Sequence, residues 1–257
     1  MQISKNSDQF KLIKNAIKTN ELKDYTVSSD LQVLDIALKH NIEISLLLYD
    51  NEQNYHEDTL KLLNELKNKA KEYYEISTKA FEALSLKENH VGIIALLKMP
   101  KYDIDSFKNK DLIVVLDKIE IPGNLGTILR TLEAINASCI IVDEITKINS
   151  AKLTSASRGC NLKVPYLLMN YDEAQEFLIN NNYDIYLGEP KLGKNYQEYD
   201  YKNKTALVFG NERFGINKKW YDNKHIEVFI PMEGEQNSIN VSVAASIIAY
   251  EAYMKKR

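Results

Sequence analysis

The chain has 257 residues with a hydrophobic fraction of 44%, enough for two ordinary domains or one large one around a substantial core. A formal net charge of −3 and a pI near 5.9 exclude a globally basic nucleic-acid binder, so a nucleic acid would have to be met by a local patch. No apolar run exceeds strand length and the first residues, MQISKNSDQFK, carry no targeting core, so no membrane partner is expected and the cytoplasm is the default.

Residues 7–20 read as an amphipathic helix with Phe10, Ile13, Ala16 and Ile17 on one face and Lys11, Lys14 and Lys18 toward solvent. An extended piece at Tyr25–Val27 leads to a helix over 30–40 with Asp30 as its cap. Strand Ile44–Tyr49, helix 57–70, strand Tyr73–Ile76, helix 78–84 and strand Val91–Leu97 follow. Alternation of this kind predicts a small α/β unit of about a hundred residues. The polar stretch 99–111, with Pro100, reads as a linker.

The alternation then restarts with strand Leu112–Asp117, helix Leu125–Asn136 and strand Cys139–Val142. It continues through a helix near 151–157, strand Val164–Leu168, helix 172–181 and strand Ile185–Gly188. Strand Ala206–Phe209, a helix after Asn217, strand Ile226–Ile230 and a last helix complete it. This pattern predicts an α/β domain with a mostly parallel sheet covered on both faces, which binds ligands at the carboxyl ends of its strands. Cys139 and Cys160 have neither metal spacing nor the density of a disulfide scaffold, so both read as reduced packing residues.

Three stretches follow strands and carry candidate chemistry. In PGNLGTILRT (122–131), Pro122, Gly123 and Gly126 shape a turn that holds Asn124, with Arg130 on the helix beyond; Asn124 also reads as a plain helix cap and Arg130 as a surface residue. In LVFGNERFGI (207–216), Gly210 and Gly215 flank Glu212, where glycine lets a ligand touch backbone, and the bland alternative is a turn with a capping acid. In IPMEGEQNSINVSVAAS (230–246), a strand end and polar loop lead to a helix that Ser238 or Asn240 can cap. Its small apolar face holds Val241, Ala244, Ala245, Ile248 and Ala252. Arginine is rare, occurring only at positions 130, 158, 213 and 257. Its planar fork suits phosphate better than lysine does, although scatter among so few residues is the simple alternative.

In this order and spacing the three stretches resemble motifs one, two and three of the SpoU (TrmH-like) ribose methyltransferases of the SPOUT superfamily. Residues 78–100, TKAFEALSLKENHVGIIALLKMP, resemble the segment joining that family's auxiliary and catalytic domains. The resemblance implies an α/β RNA substrate-binding domain over 1–100, similar to a ribosomal protein, and a trefoil-knotted methyltransferase domain with a mostly parallel sheet over 107–257. It implies methyl transfer from S-adenosylmethionine to a ribose 2′-oxygen of RNA, with large-subunit ribosomal RNA ahead of transfer RNA. It also implies a homodimer through the last helix and no metal. Catalytic positions fall on Asn124, Arg130, Glu212, Ser238 and Asn240, and cofactor-binding positions on Phe209, Gly210, Ile230, Met232 and Ile239. Arg130 is expected to bind phosphate or favour the 2′-alkoxide by its charge, serving the partner's site, with Ser238 or water passing the proton on. Arg213, where the family has glycine, is expected to meet RNA phosphate. The competing class is a non-catalytic RNA-binding or assembly factor of the same fold.

Overall fold

The structure, a computed structural model, describes residues 1–19, 22–84 and 91–257. The end of the first expected helix, at residue 20, lies outside them. So do residues 85–90 of the segment likened above to a domain junction. In chain order the first elements are α1 (Asp8–Thr19), β1 (Tyr25–Ser28), α2 (Leu31–Lys39), β2 (Ile44–Asp50), α3 (Glu57–Lys69), β3 (Glu72–Ile76), α4 (Thr78–Glu82) and β4 (Ile93–Lys98). Then come β5 (Leu112–Asp117), α5 (Pro122–Ala134), β6 (Ser138–Val142), α6 (Ala151–Ala156), β7 (Tyr166–Met169), α7 (Tyr171–Asn180) and β8 (Asp184–Gly188). β9 (Lys194–Asn195), β10 (Thr205–Phe209), β11 (Ile226–Phe229) and α8 (Val241–Lys255) complete the chain.

Two compact units result: Met1–Pro100 with Lys147–Lys163, and Lys101–Thr146 with Val164–Arg257. In the first unit the strands lie in the order β1-β4-β2-β3, with β4 antiparallel to β1 and β2 and β3 parallel to β2. Phe10, Ile13 and Ala16 of α1 pack against Val27, Leu46, Leu48 and Leu96 on the sheet, the helix face expected from the sequence. α6, which the sequence places among the elements of the second half, packs with this unit. The buried Thr154 and Thr26 hydroxyls meet at 2.7 Å, and the Asn149 amide donates to the carbonyls of Leu22 and Tyr25. Gly159, at φ +80°, lies where a side chain would press on Val33.

The second unit is built on a sheet ordered β7-β6-β5-β10-β8-β11-β9, and all its registered pairings are parallel. Its central strands β5 and β10 are buried along their whole length, as strands covered on both faces must be. One layer of the core joins Ile113, Val115, Ile140, Val208 and Trp220 to Ala174, Phe177 and Leu178 of α7. The stretch expected as a linker contributes to it as well: Phe107 is fully buried, and the Tyr183 hydroxyl donates to the carbonyls of Phe107 and Lys110. The helix expected after Asn217 is a single 3-10 turn at Lys218–Tyr221.

Candidate functional site

The sheet order sets β5, β10, β8 and β11 side by side, so the loops leaving their carboxyl ends converge. A cavity of about 440 Å³ opens there, within the size range of cofactor sites. Its walls come from four places: Ile121 and Asn124 after β5, Gly188 to Pro190 at the end of β8, Phe209 to Arg213 with Gly215 and Ile216 at the end of β10, and Ile230, Met232, Ser238 to Val241, Ala244 and Ile248 after β11. All five expected cofactor-binding residues, Phe209, Gly210, Ile230, Met232 and Ile239, line it. Asn124, Glu212, Ser238 and Asn240 line it too. Arg130 does not: it is exposed on α5.

The polar side of the cavity is one hydrogen-bonded chain. The Glu212 carboxylate accepts from the backbone amides of Glu120 at 3.0 Å and Ile121 at 3.1 Å and from the Asn124 side-chain amide at 2.9 Å. Asn124 Oδ1 accepts from Asn240 Nδ2 at 3.0 Å. Asn240 Oδ1 in turn accepts from the Ser242 amide and hydroxyl, which makes Asn240 the N-cap of α8. Burial by itself would raise the Glu212 carboxyl, but these donors outweigh it and hold the group below its usual range.

This network moves the start of α5. The sequence suggests a turn at 122–124 and a helix from Leu125, whereas the helix begins at Pro122. Proline suits that first position, where its missing N–H costs nothing. The cap comes from Glu212, about ninety residues away, and a carboxylate there also meets the positive end of the helix dipole. Asn124 therefore sits inside the first turn, free to point into the cavity. Arg130 lies about two turns further along, exposed and away from the residues that line the cavity. Ser238 is exposed at the cavity rim and outside the helix, so of the two candidate caps it is Asn240 that serves.

Two contributions escaped the sequence reading. Asn211 is buried; its Oδ1 accepts from the amides of Arg213 and Phe214, and its Nδ2 donates to the Lys118 carbonyl at 2.8 Å. The Gly188–Pro190 loop forms a wall of the cavity, and Glu189 is held there by the Tyr221 hydroxyl. A strand ending in glycine, the signal already noted at 209–210, recurs at 187–188 and would have found it. Behind the cavity, Asp117 accepts from the Asn217 amide and Trp220 Nε1. Burial pushes its carboxyl up against the pull of these bonds. Among the described residues no cluster of His, Cys, Asp or Glu is set to hold a metal ion, and no helix is long and apolar enough to cross a membrane.

Residues 111–250 match the SpoU rRNA Methylase family, and residues 31–103 match the family described as RNA 2′-O ribose methyltransferase substrate binding. A relative from Bacillus subtilis, named 23S rRNA (guanosine(2553)-2′-O)-methyltransferase, is 28% identical over 179 residues, which is 69% of this chain and 71% of that protein. An AdoMet-bound rRNA methyltransferase from Sinorhizobium meliloti superposes with a TM-score of 0.85 at 21% identity, over 98% of this chain and 96% of that one. The SpoU methyltransferase AviRb from Streptomyces viridochromogenes superposes with a TM-score of 0.82 at 22% identity, over 97% and 98%.

Proposed function

Because the chain belongs to the SpoU rRNA methylase family, we propose that it methylates a ribose 2′-oxygen of large-subunit ribosomal RNA, using S-adenosylmethionine. The observation that carries this reading is the cavity at the strand ends, which gathers Asn124, Glu212, Ser238 and Asn240 together with the apolar Phe209, Ile230, Met232 and Ile239. The cofactor supplies an electrophilic methyl group on a sulfonium. Phe209, Ile230, Met232 and Ile239 fit its apolar parts, and Gly188 and Gly210 let the Phe209 ring and the 215–216 backbone pack closely to shape the wall. We read the loops around 210 and 230–240 as the family's trefoil knot. The match of 31–103 to a substrate-binding domain supports an RNA substrate, and the relative named for 23S rRNA supports ribosomal RNA ahead of transfer RNA.

Methyl transfer of this type is an in-line displacement, and the protein's task is alignment and removal of the 2′-hydroxyl proton. Glu212 is a poor acceptor for that proton, since it already takes three donors and is held ionised. Its task is to lock Asn124 and, through it, Asn240. Among the described residues no histidine or cysteine lines the cavity. The proton leaves through Ser238 or water, while a guanidinium lowers the energy of the developing alkoxide. That guanidinium is Arg130 of a second copy of the chain. The homodimer is supported by α8, whose apolar residues are not confined to its buried face: Val243, Tyr250 and Met254 are exposed. α5 lies beside it, joined by the Thr131 and Ser246 hydroxyls at 2.7 Å.

The test is transfer of labelled methyl from S-adenosylmethionine to unmodified large-subunit ribosomal RNA and to transfer RNA transcripts, followed by alkaline hydrolysis. Label in alkali-resistant dinucleotides from the ribosomal transcript is expected. Label from transfer RNA alone would replace the substrate. Label in mononucleotides would mean base methylation, and cofactor binding without label would mean a non-catalytic RNA-binding factor.

A further inference from the structure

The loop that carries Glu212 also carries the side chain most at odds with its surroundings. Phe214 is 82% exposed, although the turn holding it has no need of an aromatic ring. That turn is rigid. Asn211 and Gly215 exchange backbone hydrogen bonds at 3.0 and 2.9 Å, and the Asn211 side chain takes the amides of Arg213 and Phe214. Gly215 has φ +71°, and Gly210 touches the backbone at 215–216 so closely that a Cβ would lie 2.2 Å from a carbonyl carbon. The ring is thus held out in water by a loop that cannot fold it back, at a standing hydration cost.

Its neighbourhood carries exposed cations beside acidic groups and adjoins the reaction site. Glu212 and Arg213 line the main cavity. Phe214 lines a second depression of about 400 Å³ with Lys118, Lys218, Glu120 and the buried Asp117 among its other walls, and Lys118 pairs with Asp143 at 3.3 Å. The Arg213 side chain is 79% exposed and makes a loose ion pair of 3.9 Å to Glu120. An exposed flat ring, a guanidinium one residue away and two lysines make a set that matches single-stranded RNA: base on ring, phosphate on cation. The ring and cations lie beside the cavity in which the target ribose would react, which places RNA ahead of a lipid or protein partner.

Resting on the methyltransferase reading, we propose that Phe214 is a stacking platform for a base next to the methylated nucleotide, with Arg213 holding the phosphate between them. The pair then sets the angle at which the target ribose enters the cavity. Stacking tolerates any base, so this contact supplies register and not sequence choice.

The test compares the full chain with its Phe214→Ala, Phe214→Leu and Phe214→Trp variants in methyl transfer to the large-subunit transcript, alongside cofactor affinity, thermal stability and sedimentation. Loss of one base–aromatic stack is expected to raise the KM for RNA about tenfold in Phe214→Ala. Leucine should not restore it and tryptophan should, with cofactor affinity, melting and oligomeric state unchanged. A wild-type KM in Phe214→Ala, or full rescue by leucine, would overturn stacking. A changed sedimentation coefficient would make Phe214 a protein contact instead. If the wild-type chain methylates neither ribosomal nor transfer RNA, the methyltransferase reading fails first and this proposal with it.

Discussion

Glu212 holds three donors whose positions differ in origin: two backbone amides before α5 and one side chain inside it. A carboxylate only accepts, so Asn124 must turn its amide nitrogen toward it and its oxygen toward Asn240. At the far end the Ser242 amide only donates, so Asn240 must turn its oxygen there. Both asparagine orientations are therefore fixed from the ends of the chain. Since the Glu212 carboxyl is lowered in the fold, its stabilisation is present above the ordinary carboxylate value and is lost as the pH falls through the lower folded value. We expect Glu212→Gln to cost about 1–3 kcal/mol at neutral pH. The gap to wild type should close below about pH 4.5. Urea unfolding across pH checks this, and parallel curves for the two proteins would refute it.

At the scale of elements, the loop after β10 and the strand before it form one device. Gly210 has no room for a side chain because the backbone at 215–216 crosses it, whereas Gly234, in the loop before α8, faces open space. Gly210→Ala is expected to abolish S-adenosylmethionine binding, and Gly234→Ala to leave it within about twofold. Calorimetric titration of both variants decides, and equal affinities would mean that the tight crossing does not shape the cavity. The same contrast shows what a sequence can reveal. β5 and β10 are apolar runs bounded by Asp117 and Thr205, and the face of α1 repeats at helical spacing, so both are legible locally. The start of α5 is not, because Pro-Gly-Asn looks like a turn until a carboxylate from the far side of the sequence caps it. Nor is the role of Asn211, whose partners are backbone groups that no pattern marks. The family motifs brought out nine of the ten expected site residues as cavity lining. They could not place Arg130, whose proposed work lies in another copy of the chain.

For the whole molecule, that second copy is the open question with the sharpest test. If Arg130 acts across a dimer, each active site needs Glu212 from one chain and Arg130 from the other. Arg130→Ala and Glu212→Ala chains should each be inactive alone. After co-refolding they should regain about a quarter of wild-type activity for random pairing of a two-fold dimer. Methyl transfer by the mixture measures it, and no recovery from a mixture that does form dimers would put Arg130 out of the partner's site.

The excursion of Lys147–Lys163 into the first unit bears on how such an enzyme can be rebuilt. Polypeptide passes between the units at 100–101, again at 146–147 and again at 163–164, so the recognition module is not a detachable N-terminal cassette. A chimera made with one splice near residue 100 would separate Thr154 from Thr26 and Asn149 from the carbonyls of Leu22 and Tyr25. Buried polar groups without partners would remain on both sides of the splice. Exchange of substrate recognition between relatives, in the laboratory or in descent, has to carry the 147–163 segment along with the first hundred residues.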